Sequence, residues 1–505
     1  MTATGLPEHR RRATRATGRL LAGLACLLIN GCAVGPDFQK PAPPPISNYV
    51  AEPLTTTVAS PVHGGEAQRF VDGADIPGDW WTLFHSKPLN DLIEQALANN
   101  HDLKAAQAAL SVARENVRAQ RGVYFPQVTA GFSATRQRQS GALAPTPSTN
   151  DLQYSLFTPQ VSVAYVPDVF GLNRRGTESI KAQKQAVRFQ LIAAHLTLTS
   201  NVAAAAIQEA SLQAQIEATR ELIGIDTKML EILKYQFSKG YANRLEVAAQ
   251  ESQLAQVTAT LPPLVKQAAQ QHALLAVLAG RYPSQAPAEK FELSSLTLPQ
   301  DLPVSLPSTL VAQRPDVRQA QANLHAASAN IGVAEANRLP NIALTGNAGS
   351  SALAIGQVFG SGSGFWALGA ALTAPIFDGG TLKHQARAAK AAYVQSAEQY
   401  RGTVLTAVQN VADTLVALDQ DALGLKASAD AVAAAKVTLD LSQRQWKDGY
   451  ASYLTLLNAE QAYQQARISL VQAQANRFAD TAALFQALGG GWWLRADLAR
   501  DTDGN

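Results

Sequence analysis

Charge is scarce in this chain: Asp, Glu, Lys and Arg make up 16% of its 505 residues. The small positive excess sits in residues 1–31, where Arg10, Arg11, Arg12, Arg15 and Arg19 face only Glu8. The remainder holds 37 basic and 38 acidic residues, so no basic surface is left to argue for nucleic acid. Cysteine is nearly absent, with only Cys26 and Cys32. The eight histidines are scattered without metal-ligand spacing. No nucleophile motif or carboxylate dyad stands out, so nothing points to catalysis and no cofactor is expected. Gly360-Ser361-Gly362-Ser363-Gly364 lacks the Lys-Ser/Thr ending of a phosphate loop and reads as a surface loop. Beyond the N-terminus no run of ~18 apolar residues stands out, so no transmembrane helix is expected, which says nothing of a β-barrel.

The arginine cluster is followed by the apolar run Leu20–Ile29, too short to span a bilayer, and reads as a secretory signal over residues 1–31. The run ends in Asn30-Gly31-Cys32, which resembles a bacterial lipobox, although Asn30 is not its usual small or hydroxylated residue. Cys32 is therefore the expected lipidation site and new N-terminus. Cleavage there also removes Cys26, leaving one cysteine and no disulfide partner. Ala33, where an Asp would be an inner-membrane sorting signal, fits the outer membrane. Residues 32–79, rich in Pro, read as a lipidated extended tether without a core of its own.

Two halves then repeat the same order. In residues 80–280, a helix runs to about Gly122. Val128, Ala130, Phe132 and Ala134 alternate with Thr129, Gly131 and Ser133, giving a β-hairpin over 126–167 with a long tip. A long helical hairpin over 168–280 follows, broken at Lys239-Gly240-Tyr241, with Pro262-Pro263 forcing a kink. After a linker (281–305), residues 306–490 give a helix over Leu310–Arg338, a β-hairpin over 340–375 and a helical hairpin over 376–490. A tail occupies 491–505. Val404, Val411, Leu418, Leu425, Val432, Leu439 and Trp446 recur every seven residues, the seam of a coiled coil. The first arm of that hairpin would be roughly 100 Å long at ~1.5 Å per residue. Ile216, Ile223, Leu230, Phe237, Gly240, Tyr241 and Leu245 match Leu425, Val432, Leu439, Trp446, Gly449, Tyr450 and Leu454 at one constant offset, so the chain is internally duplicated.

Four strands per chain, read as small and weakly polar on both faces, cannot close alone and would leave bare edges. Three copies would supply about twelve strands, enough for a closed outer-membrane barrel. Ala203–Ala206 and Ala433–Ala435 suit close packing of helices into a wall. The expected fold is mainly α with a membrane β-barrel: a homotrimer whose 12-stranded barrel is continued by a coiled-coil α-barrel. Trp80-Trp81 and Trp492-Trp493 abut no strand and are expected to pack around the middle of the helical tube. Phe365 and Trp366, at a strand start, are candidates for an interfacial belt.

The chain resembles the outer-membrane factor (TolC-like) family, nearest its lipidated NodT/OprM type. The resemblance rests on the order and spacing of several short motifs. They are Gly31-Cys32-Ala33-Val34-Gly35-Pro36-Asp37-Phe38, Trp80-Trp81-Thr82-Leu83-Phe84, Arg314-Pro315-Asp316-Val317-Arg318-Gln319-Ala320, Ile331-Gly332-Val333-Ala334, Pro375-Ile376-Phe377-Asp378-Gly379-Gly380 and the run from Gly449 to Ala459. The resemblance implies a passive trimeric exit duct in the outer-membrane lipid, served by a periplasmic adaptor and an inner-membrane RND or ABC pump. It places adaptor docking at the tips Gly240-Tyr241-Ala242 and Gly449-Tyr450-Ala451-Ser452. It places a periplasmic aperture on the face bearing Leu454 and Asn458, with Thr455 and Gln461 nearby. Relatives often carry Asp where this chain has Asn458, so a ring here would be uncharged. The leading expectation is a channel for drugs, toxic small molecules or metals. A type I protein-secretion duct and a pore-less coiled-coil scaffold are the alternatives.

Overall fold

The computed structural model describes residues 33–52, 54–138, 140, 153–286 and 290–499. Cys32 and the signal lie outside them. The chain divides into two compact units. Unit 1 holds the residues through Lys40, Ser111–Gln185 and Gln321–Gln399; unit 2 holds Pro41–Leu110, Ala186–Ala320 and the chain from Tyr400 onward.

The elements in order are β1 (Arg69–Asp72), α1 (Lys87–Asn99), α2 (His101–Arg121), β2 (Gln127–Arg138), β3 (Gln153–Tyr165), α3 (Leu172–Ser238) and α4 (Arg244–Leu278). Then come β4 (Asp301–Val304), α5 (Pro307–Gln313), α6 (Pro315–Ala336), β5 (Asn341–Ser350), β6 (Gly364–Thr373), α7 (Thr381–Lys447), α8 (Tyr453–Ala487) and α9 (Ala496–Ala499). α3 and α7 have 67 residues each, and α4 and α8 have 35 each.

Unit 1 is organised around an antiparallel sheet in the order β2-β3-β5-β6. Asp168 and Asp378 do the same job in its two halves. The Asp168 carboxylate accepts from Asn173 N and Arg174 N, and that of Asp378 from Gly380 N and Leu382 N. Each caps the start of a long helix, where backbone N–H groups lack intrahelical partners.

Unit 2 has an aromatic core. Trp80, Trp81, Phe84, Phe478 and Phe485 are buried together, with Trp80 tilted on Phe485 at 5.4 Å and Phe84 on Phe478 at 6.3 Å. Trp492 packs edge-on against Phe189 at 5.8 Å. The tryptophan pairs are thus packing residues, as their distance from the strands implies. The heptad seam behaves likewise: Val411, Leu418 and Leu425 are buried and Val432, Leu439 and Trp446 half-buried.

Several expectations are corrected. The Pro-rich segment is not a coreless tether. Its strand β1 pairs in parallel with β4, and Gln68, Phe70 and Ile76 are buried. Gln68 Nε2 donates to Pro299 O and to Thr481 Oγ1, both at 3.0 Å, fastening the segment to α8. These pairings join residues over two hundred positions apart, beyond any local sequence signal. The helix before each β-hairpin is two helices. Asn100 ends α1 and caps α2 by accepting from Leu103 N. Pro315 holds Arg314 extended (φ −75°, ψ 125°), as a residue before proline prefers. As expected, one helix, α4, continues past Pro262-Pro263, and Leu261 and Leu264 pack there against Leu212, Ile216 and Ala268.

Candidate functional site

The register of the sheet separates two faces. Val128 pairs with Val163 and Ala130 with Val161; these continue to Gly346 and Ala348 on β5 and to Leu368 and Trp366 on β6. Phe132, Tyr165, Leu344 and Leu372 share that side. The other side carries Thr129, Ser162, Thr158, Thr345 and Asn347 among glycines and alanines. The expectation of two weakly polar faces is therefore corrected: one face is apolar. It is also exposed, with Trp366 at 75% and Leu368 at 80%. An apolar outer face with a small, polar inner face is the pattern of strands that cross a bilayer. The strands have 12, 13, 10 and 10 residues, against the ≈9–11 that a tilted transmembrane strand needs. β2 and β6 are the sheet's edges, each with one side unpaired. Trp366 is on the apolar face. Phe365 pairs with Gly349 on the other, because neighbouring side chains alternate, so it is not a belt residue.

The two helical tips are built alike. Gly240 (φ 78°) and Gly449 (φ 81°) lie in the left-handed region. Gly240 N donates to Phe237 O and Tyr241 N to Gln236 O; Gly449 N donates to Trp446 O and Tyr450 N to Gln445 O. Both are Schellman closures, which satisfy the last carbonyls of the helix. The chain then re-enters a helix at once: Asn243 forms a capping box with Glu246, and Ser452 caps through Thr455 N. Each closure leaves a tyrosine in solvent, Tyr241 at 84% and Tyr450 at 86% exposed. Ala242 and Ala451 are half-buried, and Ser452 is exposed.

Leu454, Asn458 and Gln461 form one exposed stripe of α8, with Leu454 at 60%. Gln461 also donates to Gln253 Oε1 of α4 at 2.5 Å, and Thr455 Oγ1 lies 3.0 Å from Ser452 Oγ in the cap. The stripe's supporting side is tightly built. Tyr453, Leu456 and Leu457 bury against Leu233 of α3 and Val247 of α4, and Trp446 meets Tyr453 edge-on at 5.9 Å. The Tyr453 hydroxyl donates to Gln250 Oε1, and Gln250 Nε2 donates to Asp226 O at 2.9 Å.

Three further sets of residues belong to no sequence motif. Glu460 and Asp226 are buried acids at this junction. Glu460 follows Tyr453, Leu456 and Leu457 at helical spacing, so an acid in an apolar seam was the available signal. A second set is Arg477, Asp421 and Asp480. Arg477 is fully buried and donates to Thr57 Oγ1 and Glu66 O. Burial and the neighbouring Asp480 push Asp421 up to about 7, with Arg477 opposing. The third is Arg175, which binds Val34 O, Gly35 O, Asp37 and Glu178 and so straps down the chain next to the Cys32 position. Phe38 stacks on His325 at 4.3 Å beside it. The motifs around Gly35 and Gly332 thus meet in space.

A sheet with a bilayer-facing side and long capped helical hairpins define an outer-membrane channel. The sequence matches the Outer membrane efflux protein family over residues 92–281 and 306–490, and the chain belongs to that family. It is 30% identical over 484 residues to the toluene efflux pump outer membrane protein TtgC of Pseudomonas putida, covering 95% of this chain and 97% of that one. It is 30% identical over 444 residues to the pyoverdine export outer membrane protein OpmQ of Pseudomonas putida, covering 87% and 94%. The solved outer-membrane channel OprN superposes with a TM-score of 0.82 at 25% identity, covering 91% of this chain and all of OprN. The protein is thus an outer-membrane channel component of an efflux system, with its helical part in the periplasm.

Proposed function

We propose that three copies of the chain join β2 to β6 and close a 12-stranded barrel, a passive duct continued by an α-helical tube. The observation that carries this reading is the sheet itself: one apolar face, one small polar face, strands of membrane length and two bare edges. A lone four-stranded sheet would leave those edges unpaired in lipid, at several kcal/mol per unsatisfied group. The duct needs no catalytic group or cofactor; an energised inner-membrane pump of the RND or ABC type drives export. The tips at Gly240-Tyr241-Ala242 and Gly449-Tyr450-Ala451-Ser452 dock a periplasmic adaptor, a reading supported by their matched geometry and exposed tyrosines. Small organic compounds are the proposed cargo, by likeness to relatives named for toluene efflux and pyoverdine export.

Leu454 and Asn458 form the resting seal, each a ring of three in the trimer. The double variant Leu454→Ala with Asn458→Ala should raise the resting conductance of the protein in planar bilayers; an unchanged leak would move the seal elsewhere. Cys32, outside the described residues, carries the lipid anchor. Cys32→Ser should lose palmitate labelling, and a variant labelled as the parent would refute the anchor.

A further inference from the structure

Glu460 is 3% exposed, and neither of its carboxylate oxygens has a hydrogen-bond partner. Asp226 of α3 is fully buried, and its Oδ2 also lacks a partner. Its Oδ1 accepts from Gln250 of α4 at 3.3 Å, and that amide's oxygen is occupied by the Tyr453 hydroxyl. Three helices, drawn from both hairpins, therefore meet around two acids.

Arg467, which lines the same cavity as Glu460, is paired with Glu221 at 2.6 Å. Burial, and then the charge of Asp226, push Glu460 up to about 7. Burial also raises Asp226, and the Gln250 amide offsets part of that. Two desolvated carboxylates without a cation cannot both hold charge cheaply. An inert packing role would be served as well by leucine or glutamine. What sets this junction apart is an acid that changes charge near neutral pH with no partner to absorb the change.

We propose that Glu460 and Asp226 form a proton-binding site joining the two helical hairpins, and that loss of its proton loosens α8 from α3. The sign follows from the raised affinity for protons in the packed state. Packing is strongest below the ordinary carboxylate range, weakens as pH rises, and has lost the full contribution above about 7. For one proton, the local opening constant rises up to about tenfold per pH unit over that window. Since Glu460 lies behind the stripe bearing Leu454 and Asn458, loosening would also reach the seal. That last link rests on the proposed aperture.

Hydrogen–deuterium exchange of the full-length protein in detergent, from pH 5 to 8 and corrected for intrinsic rates, tests the site. Peptides covering 226–233 and 453–461 should lose protection as pH rises to about 7, by up to about tenfold per unit, and then level off. Glu460→Gln should flatten that dependence while keeping the fold. Asp226→Asn carries the same expectation should Glu460→Gln fold poorly. Wild-type protection that ignores pH, or an equal slope in a folded variant, would overturn the proposal. Resting conductance read in parallel separates the two claims: pH-dependent protection with a constant leak upholds the proton site and refutes its link to the seal.

Discussion

Gly35 lies against Gly332 so closely that a Cβ on Gly35 would come within 2.4 Å of the Gly332 Cα. The reverse substitution is nearly as tight, since a Cβ on Gly332 would lie 2.7 Å from both Val34 O and Arg175 Cγ. Gly332 Cα and Val34 O are backbone, so the chain beside the Cys32 position would have to move. Gly332→Ala should cost about 1–3 kcal/mol, the usual range for overpacking. Arg175→Ala, which releases four bonds to the same segment and to Glu178, should expose it to protease. Limited proteolysis with mass mapping of residues 33–40 checks both.

If the tips dock the adaptor as proposed, stability and recognition can be separated there. Gly449 sits at φ 81°, where an alanine costs about 1–2 kcal/mol. Gly449→Ala should therefore lower thermal stability and fray the start of α8. Tyr450 is exposed and removed from the core, so Tyr450→Ala should change stability by no more than about 0.5 kcal/mol. It should still weaken capture of the adaptor, read by crosslinking. The paired Tyr241→Ala should add to that loss.

The two faces of the sheet make opposite demands. Leu368→Arg puts a charge on the apolar face and should cost about 2–4 kcal/mol near the bilayer midplane. Asn347→Arg, on the small polar face, should fold nearly as well as the parent. Folding yield into lipid vesicles, followed by gel mobility with and without heating, distinguishes them. Equal losses would mean that the polar face also meets lipid.

Asp421 supplies a pH test in unit 2. Its carboxyl is pushed up to about 7 by burial and then by Asp480, against an ordinary value of 3.8. A raised acid stabilises the fold fully below its unfolded value, and that contribution is lost as pH rises through about 7. Asp421→Asn should therefore be more stable than the parent at pH 8 and flatten the parent's decline between pH 4 and 7. Thermal unfolding across that range checks the slope.

What could be read in the sequence were features with a local period. The seam from Val404 to Trp446 repeats every seven residues, and the glycine tips recur at a fixed offset, so hairpins and tips were visible. Alternation located the strands, but which face is apolar depends on register, through pairs such as Ala348 with Trp366. Contacts between distant segments left no local trace. Arg175 with Asp37, β1 with β4, and Gln250 with Asp226 and Tyr453 join residues whose spacing obeys no period. The motifs of the strap were visible one by one, whereas their meeting at Gly35 and Gly332 was not.

The proposed barrel requires that β2 of one copy pairs with β6 of the next and that three copies close the ring. Cysteines on the two edges, Thr129→Cys with Ala371→Cys or Gly369→Cys in one chain, test it directly in intact outer membranes under mild oxidation. Covalent species should climb to the trimer and stop there, with reduction returning the monomer. Crosslinking that ends at the dimer, or none at any edge pair in a folded protein, would contradict a barrel closed by three chains.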